Sequence, residues 1–496
     1  MSPAVLMLYL IKLFPEITIK GRPVRLRLVR QLRRNIRSVL SHLHDGIEVR
    51  GEWDALEVSC DDSDAELPGQ VLNRLQCISG IHSILAVQRY PLPDMDGMLQ
   101  ITLTHFAERL QNKTFAVRCK RTGRHAFRSV DVEKYVGGGL NQHTDAAGVK
   151  LVNPDVLVPL EIRQDDFYVI HNRYRGLGGF PLGCQDSVLS LISGGFDSSV
   201  SSFHCMRRGL QTHYCFFNLG GKAHELAVKE VALYLWMKYH SSHRVRFVTV
   251  PFDTVVNEIL SRVHHSQMGV ILKRMMLRAA DRIAHELNIN TLVTGESVAQ
   301  VSSQTLANLA VIDSVSNALV LRPLATMDKQ DIIDTARSIG TEEFSRNIPE
   351  YCAVISDKPT TRARPERIAR EEQGFDFTIL EQAVGNARYQ LITEVVDDFG
   401  EAAVEVAVVA EADANSTIID IRHPQEQQAR PFPAGRAEAA ADLIAIPFYS
   451  LRSDFEKLDR NKQYLLYCDR GMMSRLHAAH LLDEGFRNVA VLSLEK

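Results

Sequence analysis

The sequence predicts a multidomain α/β protein whose central part folds as a doubly wound parallel sheet. The chain has 496 residues, which is too long for one hydrophobic core and suggests three or four domains of about 150 residues each. Between residues 186 and 395, apolar strand patterns alternate with helical patterns, and this alternation is typical of a parallel sheet covered by helices. Such sheets bind ligands at the carboxyl ends of their strands.

The composition excludes several classes of protein. The chain is 45% hydrophobic and 24% charged, as ordinary globular proteins are. No stretch stays apolar over the roughly 18 residues that a membrane span needs, and the apolar N-terminus lacks the basic leader and cleavage site of a signal peptide. The 8 cysteines form no CxxC pair, which argues against a zinc site and a disulfide framework. We therefore expect a cytoplasmic protein with no membrane contact and no structural metal site.

The N-terminal part of the chain reads as two small α/β domains, residues 1–60 and 61–165. In the first, a basic helical pattern follows an apolar strand, with apolar residues at the spacing of one helix face: Val24, Leu28, Leu32, Ile36 and Leu40. The second closes with a predicted strand pair around an Asp165-Asp166 turn.

Two basic clusters lie in this N-terminal part, although the net charge of −3 does not suggest a nucleic-acid partner. The first comprises Lys20, Arg22, Arg25, Arg27, Arg30, Arg33, Arg34 and Arg37. The second comprises Arg118, Lys120, Arg121, Arg124 and Arg128, with His125 and Phe127 among them. Each cluster taken alone is better explained as a solvated helix face. Two together favour binding to an RNA backbone.

The central domain opens with a glycine-containing turn between a strand and a helix, LSLISGGFDSSV over 189–200. The turn residues are Ser193, Gly194, Gly195, Phe196, Asp197 and Ser198. Glycines allow backbone conformations closed to other residues, and a helix N-terminus attracts phosphate. No lysine follows, so this is not the common phosphate loop. The alternatives are an anion cradle and an ordinary strand-to-helix turn.

Further candidates for a nucleotide site follow along the domain. Lys273 opens a predicted helix, Gly295 ends the strand pattern TLVT, and Gln304 and Lys329 follow in helical segments. Each taken alone also fits a surface or turn residue. Asp197 could hold Mg²⁺ against a pyrophosphate through water.

Two cysteines differ from the other six, which we interpret as structural. Cys468 ends the apolar strand pattern YLLYC, and a loop then enters a helix. A cysteine at a helix N-terminus beside Arg470 and Arg475 is expected to be a competent thiolate, and loop N–H groups could surround a persulfide anion. The alternative is a small buried core residue. Cys352 lies in a stretch of little periodicity and is a second candidate for a reactive thiol.

Together these motifs resemble a known family. SGGFDS resembles the pyrophosphatase (PP) loop of adenylating enzymes. Over nearly its whole length the chain resembles the bacterial tRNA 4-thiouridine synthetases. The resemblance is carried by five segments in this order: KLFPEITIKG, YVGGGLNQ, SGGFDS, YCAVISDKPT and CDRGMMSR. The resemblance implies four domains: ferredoxin-like (1–60), THUMP RNA-binding (61–165), PP-loop ATP pyrophosphatase (186–395) and rhodanese-like (405–496).

The resemblance also implies a reaction. In the implied reaction, a cysteine desulfurase transfers sulfur to Cys468. ATP, with Mg²⁺, activates uridine 8 of tRNA, and AMP and pyrophosphate are released. Cys352 then forms a disulfide with Cys468. Lys329 is implied in activation. The implied ATP contacts are Leu191, Ile192, Ser193, Gly194, Gly195, Asp197, Ser198, Lys273, Gly295 and Gln304. We expect RNA contacts at Arg118, Lys120, Arg121 and Arg124. The family also delivers sulfur to the thiazole sulfur carrier protein of thiamine biosynthesis, and it suggests a homodimer.

Two alternative functions remain open from the sequence. One is a sulfur carrier whose main acceptor is not RNA. The other is a noncatalytic tRNA-binding protein, against which the intact SGGFDS and both cysteines argue.

Overall fold

The structure is a computed structural model that describes residues 6–51, 53, 55–61, 66–219, 221–346, 348, 359–399, 406–422, 424–432, 442–469, 471–483 and 485–493. The chain divides into two compact units, Met1–Pro181 and Leu182–Lys496. Within the described ranges no helix combines the length and the apolar character that a bilayer span requires.

The N-terminal unit is built on one eight-stranded sheet in the order β2-β3-β1-β4-β8-β7-β5-β6. The strands are β1 Leu6–Leu13, β2 Glu48–Arg50, β3 Ala55–Asp61, β4 Ile81–Pro91, β5 Thr114–Thr122, β6 Gly148–Val149, β7 Val156–Arg163 and β8 Asp166–Arg175. Its helices are Pro15–Thr18, Arg22–Leu40, Leu67–Gln76, Met95–Leu110 and Ser129–His143. Because β4 pairs with both β1 and β8, the strands of both predicted N-terminal domains share this sheet.

Local sequence explains the main elements of this unit. The helix Arg22–Leu40 buries the side chains predicted to form its apolar face from Leu28 onward, whereas Val24 is 41% exposed. The strand pair β7 and β8 is present, but its turn lies one residue earlier than predicted. Arg163 pairs with Asp166, so Gln164 and Asp165 form the turn, and Gln164 adopts a left-handed φ of 51°.

The central domain forms a six-stranded sheet in the order β13-β12-β9-β10-β11-β14. Its strands are β9 Ser187–Leu191, β10 Gln211–Asn218, β11 Arg246–Pro251, β12 Thr291–Val293, β13 Leu319–Leu321 and β14 Arg388–Leu391. Five of them are parallel, and β14 pairs antiparallel with β11 at the edge. The chain runs outward from β9 through β10 and β11 and then crosses to β12 on the other side of β9. This reversal is the point where such sheets bind ligands.

Helices cover the central sheet. They are Phe196–Arg207, Gly221–Leu235, Asp253–Arg262, Met268–Glu286, Leu306–Asp313, Lys329–Ile339, Glu342–Arg346, Pro365–Gln373 and Phe377–Gly385, with a π-helical turn at Trp236–His240 and 3₁₀ turns at Ser302–Gln304 and Glu394–Phe399. Lys273 was predicted to open its helix, but the helix begins at Met268 because Val270, Ile271 and Leu272 extend the buried apolar face.

The C-terminal domain is a five-stranded sheet in the order β15-β19-β18-β16-β17, in which all described pairs are parallel. The strands are β15 Val408–Val409, β16 Ser416–Asp420, β17 Asp442–Ala445, β18 Gln463–Tyr467 and β19 Val489–Leu492, and the helices are Pro424–Ala429, Phe448–Phe455 and Met472–Asp483.

Aromatic side chains join this domain to the central one. Phe448 stacks on Phe344 with ring centroids 4.4 Å apart and also contacts Tyr234. His477 Nε2 lies 2.9 Å from Glu230 Oε1. Phe344 lies in the short helix Glu342–Arg346, whose Ser345 hydroxyl donates to Gly194 O at 2.9 Å. One helix therefore contacts both the C-terminal domain and the SGGFDS loop.

Candidate functional site: a nucleotide cavity and a cysteine loop

The SGGFDS loop connects β9 to the helix Phe196–Arg207, as predicted. Gly194 takes a left-handed φ of 80°, and a Cβ there would lie 2.6 Å from the Ile348 side chain, so this position requires glycine. The Ser198 hydroxyl accepts from Ser193 N at 3.2 Å and donates to Gly195 O at 3.1 Å. These bonds close the loop on itself and leave a twelve-residue helix with its N-terminus at the loop.

A cavity of about 450 Å³ opens beside this loop at the carboxyl ends of the parallel strands. Its walls include nine of the ten residues that the sequence analysis assigned to ATP: Leu191, Ile192, Ser193, Gly195, Asp197, Ser198, Lys273, Gly295 and Gln304. The tenth, Gly194, lies within the loop itself. The structure brings these residues together, although they are spread over more than a hundred positions of sequence.

Gly295 lines the cavity where it packs directly against the SGGFDS loop. A Cβ at this position would lie 2.6 Å from the carbonyl carbon of Asp197 and 2.7 Å from Ser198 N. Because both contacts are to backbone, they could not be relieved by rotating a side chain. Gly295 therefore lets the end of β12 approach the loop closely.

Asp197 is held by two side chains from other segments. Its Oδ1 accepts from Lys329 Nζ at 2.7 Å, and its Oδ2 accepts from Gln300 Nε2 at 2.8 Å. Lys329 begins the helix Lys329–Ile339 and is 40% exposed at its side chain. The pair places one carboxylate and one ammonium beside the SGGFDS loop.

Lys273 contacts a second carboxylate on the cavity wall. Its Nζ donates to Glu296 Oε1 at 2.6 Å, and Arg322 Nε donates to Glu296 Oε2 at 2.8 Å. Burial would raise the pKa of Glu296, but the charges of Lys273 and Arg322 outweigh it and lower that pKa, so Glu296 is ionised at neutral pH. The sequence analysis missed Glu296, Gln300 and Arg322. Their positions just after β12 and β13 could have indicated them.

The cavity residues fit a ligand of nucleotide size. Gln304 is 8% exposed, and its Oε1 has no hydrogen-bond partner among the described residues. A buried acceptor of this kind is normally satisfied, and it suits a donor on a bound ligand. Burial also lowers the pKa of His224 on the wall. The cavity volume lies within the range typical of small-molecule sites.

Cys468 directly follows β18 and precedes the helix Met472–Asp483, as predicted. It is 7% exposed, and its Sγ accepts from Ser474 N at 3.4 Å. Gly471 in the loop has a left-handed φ of 67°. Asp469 is bonded to Arg422 at 3.2 Å and to Arg430, so two arginines fix the loop beside the sulfur. Cys352 and Arg470 lie outside the described residues.

The second basic cluster lies on and just after β5. Arg118, Lys120 and Arg124 are exposed, whereas Arg121 is half-buried. Arg121 donates to Gly123 O and contacts His125 Nδ1, both at 2.9 Å, and the His125 ring stacks on Phe127 at 5.3 Å. Arg121 thus orders its loop, while the other three present charge to solvent.

Part of the first basic cluster has an internal role. Arg25, Arg33 and Arg37 of the helix Arg22–Leu40 donate to the carbonyl oxygens of Trp53, Gly51 and Val49. These bonds tie the helix to β2 and the segment after it.

The fold and these sites define a class: a multidomain α/β protein that joins a doubly wound domain, with a cavity at its strand ends, to a parallel-sheet domain with a loop cysteine. Four family models match successive segments: ThiI ferredoxin-like domain over 8–84, THUMP domain over 94–172, Thiamine biosynthesis protein (ThiI) over 183–377 and Rhodanese-like domain over 406–494. The chain belongs to the tRNA sulfurtransferase family. It is 55% identical to the tRNA sulfurtransferase of Azotobacter vinelandii (strain DJ / ATCC BAA-1303) over 482 residues, which cover 97% of this chain and 99% of that one.

Other relatives agree with this assignment. The tRNA sulfurtransferase of Saccharophagus degradans (strain 2-40 / ATCC 43961 / DSM 17024) is 51% identical over 98% of this chain and 99% of its own. A crystal structure of a 4-thiouridine synthetase–RNA complex with bound ATP superposes with a TM-score of 0.67 at 25% identity, covering 78% of this chain and 100% of that one. The predicted family and the predicted four-part α/β fold are thus confirmed.

Proposed function

We propose that the protein is a tRNA uridine 4-sulfurtransferase that uses ATP to activate uridine 8 of tRNA and replaces its O4 with sulfur carried as a persulfide on Cys468. The observation that carries the proposal is the cavity, where the SGGFDS loop, Lys273, Gly295 and Gln304 meet around a space suited to a nucleotide. The names of its relatives, tRNA sulfurtransferases and a 4-thiouridine synthetase, support the same reaction.

Activation by ATP is needed because the carbonyl oxygen O4 of uridine is a poor leaving group. Uridine O4 attacks the α-phosphorus of ATP, an O–P bond forms, the bond to the β-phosphate breaks, and pyrophosphate leaves. The carbonyl oxygen then departs later as part of AMP. In this proposal the loop N–H groups, the helix N-terminus and Lys273 hold the phosphates, and Gln304 orients the nucleoside. Lys329, paired with Asp197, contributes positive charge beside the reacting phosphate.

Mg²⁺ would be held by the Asp197 carboxylate. No group of three or more His, Cys, Asp or Glu side chains suited to a metal occurs among the described residues. The Asp197 carboxylate on the cavity wall fits Mg²⁺, which commonly takes one or two protein carboxylates together with substrate phosphates and waters. When bound, it would neutralise charge on the pyrophosphate.

The sulfur half uses the two cysteines. A cysteine desulfurase transfers its terminal sulfur to the Cys468 thiolate, and the resulting persulfide attacks C4 of the adenylated uridine, expelling AMP. The Cys352 thiolate then attacks Sγ of Cys468, which breaks the S–S bond and leaves the sulfur on the uridine. The product is a Cys352–Cys468 disulfide, and a two-electron thiol reductant returns both thiols. The Cys468 loop supports this role because Ser474 N already donates to its sulfur.

The proposal assigns tRNA binding to exposed basic side chains of the N-terminal unit. Arg118, Lys120 and Arg124 would bind tRNA phosphates, with Arg121 ordering the loop between them. A cytoplasmic location and a homodimer go with the proposal through the family resemblance.

A reconstituted reaction tests the function. Purified protein, ATP, Mg²⁺, tRNA, a cysteine desulfurase and cysteine should yield 4-thiouridine together with AMP and pyrophosphate. Cys468→Ala and Cys352→Ala should each abolish thiolation. Asp197→Ala should lose AMP formation while Cys468 still accepts sulfur. Full thiolation by either cysteine variant would refute the relay, and unchanged AMP release by Asp197→Ala would refute the loop's role.

Sulfur delivery to the thiazole sulfur carrier protein is a second proposed function. It is supported by the family model over 183–377, described as a thiamine biosynthesis protein, and by the separate C-terminal sheet that carries Cys468. In cells lacking the protein, Asp197→Ala should restore growth without thiamine but not 4-thiouridine, whereas Cys468→Ala should restore neither. Failure of Asp197→Ala to support growth would argue against an ATP-independent carrier role.

A further inference from the structure

Four charged side chains form a continuous chain of hydrogen bonds that ends at the nucleotide cavity. Asp313 accepts from both terminal nitrogens of Arg322, at 2.8 and 2.6 Å. Arg322 Nε donates to Glu296 Oε2 at 2.8 Å, and Lys273 Nζ donates to Glu296 Oε1 at 2.6 Å. The two members at the inner end, Glu296 and Lys273, line the cavity, whereas Arg322 and Asp313 are not among its lining residues.

The two oxygens of Glu296 have different partners. Oε2 accepts from Arg322 and also from the Thr294 hydroxyl at 3.0 Å. That leaves Oε1 aimed at Lys273. The Glu296 side chain is 11% exposed and the Lys273 side chain 21%, so the carboxylate is fixed inside the wall and the ammonium is the more accessible member.

This geometry restricts a side chain that is otherwise flexible. A lysine ammonium has three donors, and one is used by Glu296 in a charge-assisted bond. The other two have no protein acceptor within the described ranges of the chain, so they can serve an anion in the cavity. Arg322 is also needed, because an uncompensated carboxylate in this wall would repel the same anion.

Resting on the proposed use of ATP, we propose that Glu296 is a positioning residue that holds Lys273 Nζ in place for the phosphates of ATP, and that Arg322 and Thr294 fix the orientation of its carboxylate. Preordering the lysine reduces the entropy that is lost when the nucleotide binds. Glu296 acts through Lys273 and does not itself touch the phosphates.

The test is a double-mutant cycle on MgATP binding by the full-length protein, measured by isothermal titration calorimetry. Glu296→Gln preserves size, but its amide offers only one acceptor oxygen and cannot serve both cations. We expect it to weaken MgATP binding by about tenfold. In a Lys273→Ala background, Glu296→Gln should cause no further loss, because the residue that it positions is already gone.

Two further variants sharpen the cycle. Thr294→Val removes only one donor to Oε2, so it should weaken binding by a few fold, about fivefold at most, and should also have no effect without Lys273. Glu372→Gln is the matched control. Glu372 accepts hydrogen bonds at 2.6 and 2.9 Å from Arg274, which follows Lys273 in the helix Met268–Glu286, and Glu372 is not among the cavity residues. We expect it to lower the thermal midpoint and to leave MgATP affinity unchanged.

The outcomes separate this inference from the proposed function. Equal losses from Glu296→Gln with and without Lys273 would overturn the positioning role while leaving ATP use intact. Wild-type affinity in folded Glu296→Gln would overturn it as well. Failure of the wild-type protein to bind MgATP would instead overturn the proposed function, and this inference with it.

Discussion

The close approach of Gly295 to the SGGFDS loop makes Gly295→Ala the sharpest single perturbation of the nucleotide site. The added Cβ would lie 2.6, 2.7 and 2.8 Å from backbone atoms of Asp197 and Ser198. These segments must therefore move apart by roughly 0.8 Å to reach ordinary van der Waals contact. Inserting a methyl group into such a packed position costs about 1–3 kcal/mol.

This steric strain arises in the segment where the phosphates are expected to bind. The backbone that must move carries the N–H groups of Asp197 and Ser198, so we expect MgATP affinity to fall by roughly 5- to 150-fold. Isothermal titration calorimetry measures the loss, and calorimetric melting reports any loss of stability. Gly385→Ala is the control, because nothing lies within 4 Å of a Cβ there. Wild-type affinity and an unchanged melting temperature in Gly295→Ala would show that the close contact does not shape the site.

Three further predictions concern the wider molecule. Ser345→Ala leaves the buried Gly194 carbonyl without its donor, so it should lower the free energy of unfolding by about 1–3 kcal/mol and weaken MgATP binding. The control Ser338→Ala, at an exposed position, should change neither quantity. If Ser345→Ala also changes neither, Ser345 does not support the loop. Burial raises the pKa of Cys119 and of Cys205 to about 12. Mass spectrometry should therefore find both cysteines unmodified by iodoacetamide at pH 8 in the native protein and modified after denaturation. Labelling of either cysteine in the native protein would contradict this prediction. Burial, together with the charge of Arg246, lowers the pKa of His213 from 6.5 to about 4. Between these two pH values the unfolded chain binds a proton that the folded protein does not. The free energy of unfolding therefore falls as the pH drops through this window, by up to about 3 kcal/mol. His213→Asn, which keeps an acceptor for Arg246 N, should show a shallower loss of thermal midpoint between pH 7 and pH 5, and an unchanged slope would contradict the assignment.

Local patterns in the sequence predicted the parts of both sites that lie within one strand, turn and helix. The glycines after β9 and the cysteine after β18 are examples, because a strand period followed by a helix period places the turn residues at a sheet edge. The residues spread along the chain, such as Lys273 and Gln304, came from the resemblance to a family. Their own local sequence favours an ordinary surface position.

The parts that sequence could not supply depend on contacts between distant segments. Glu296 and Arg322 each follow a strand pattern, which marks the sheet edge, but their bond to each other and the bond of Arg322 to Asp313 form only when folding brings β12 and β13 side by side. The Ser345 bond to Gly194 spans 151 positions. In the N-terminal unit, the pairing of β1 with β4 joins the two predicted domains into one sheet, and the local periodicity of a strand does not identify its partner.

The central claim is that this protein places sulfur on tRNA through ATP activation and Cys468. Nucleoside mass spectrometry of tRNA from cells that lack the protein tests it most directly. We predict that 4-thiouridine is absent, that the wild-type protein restores it, and that neither Cys468→Ala nor Asp197→Ala does. An undiminished level of 4-thiouridine in cells without the protein would contradict the account.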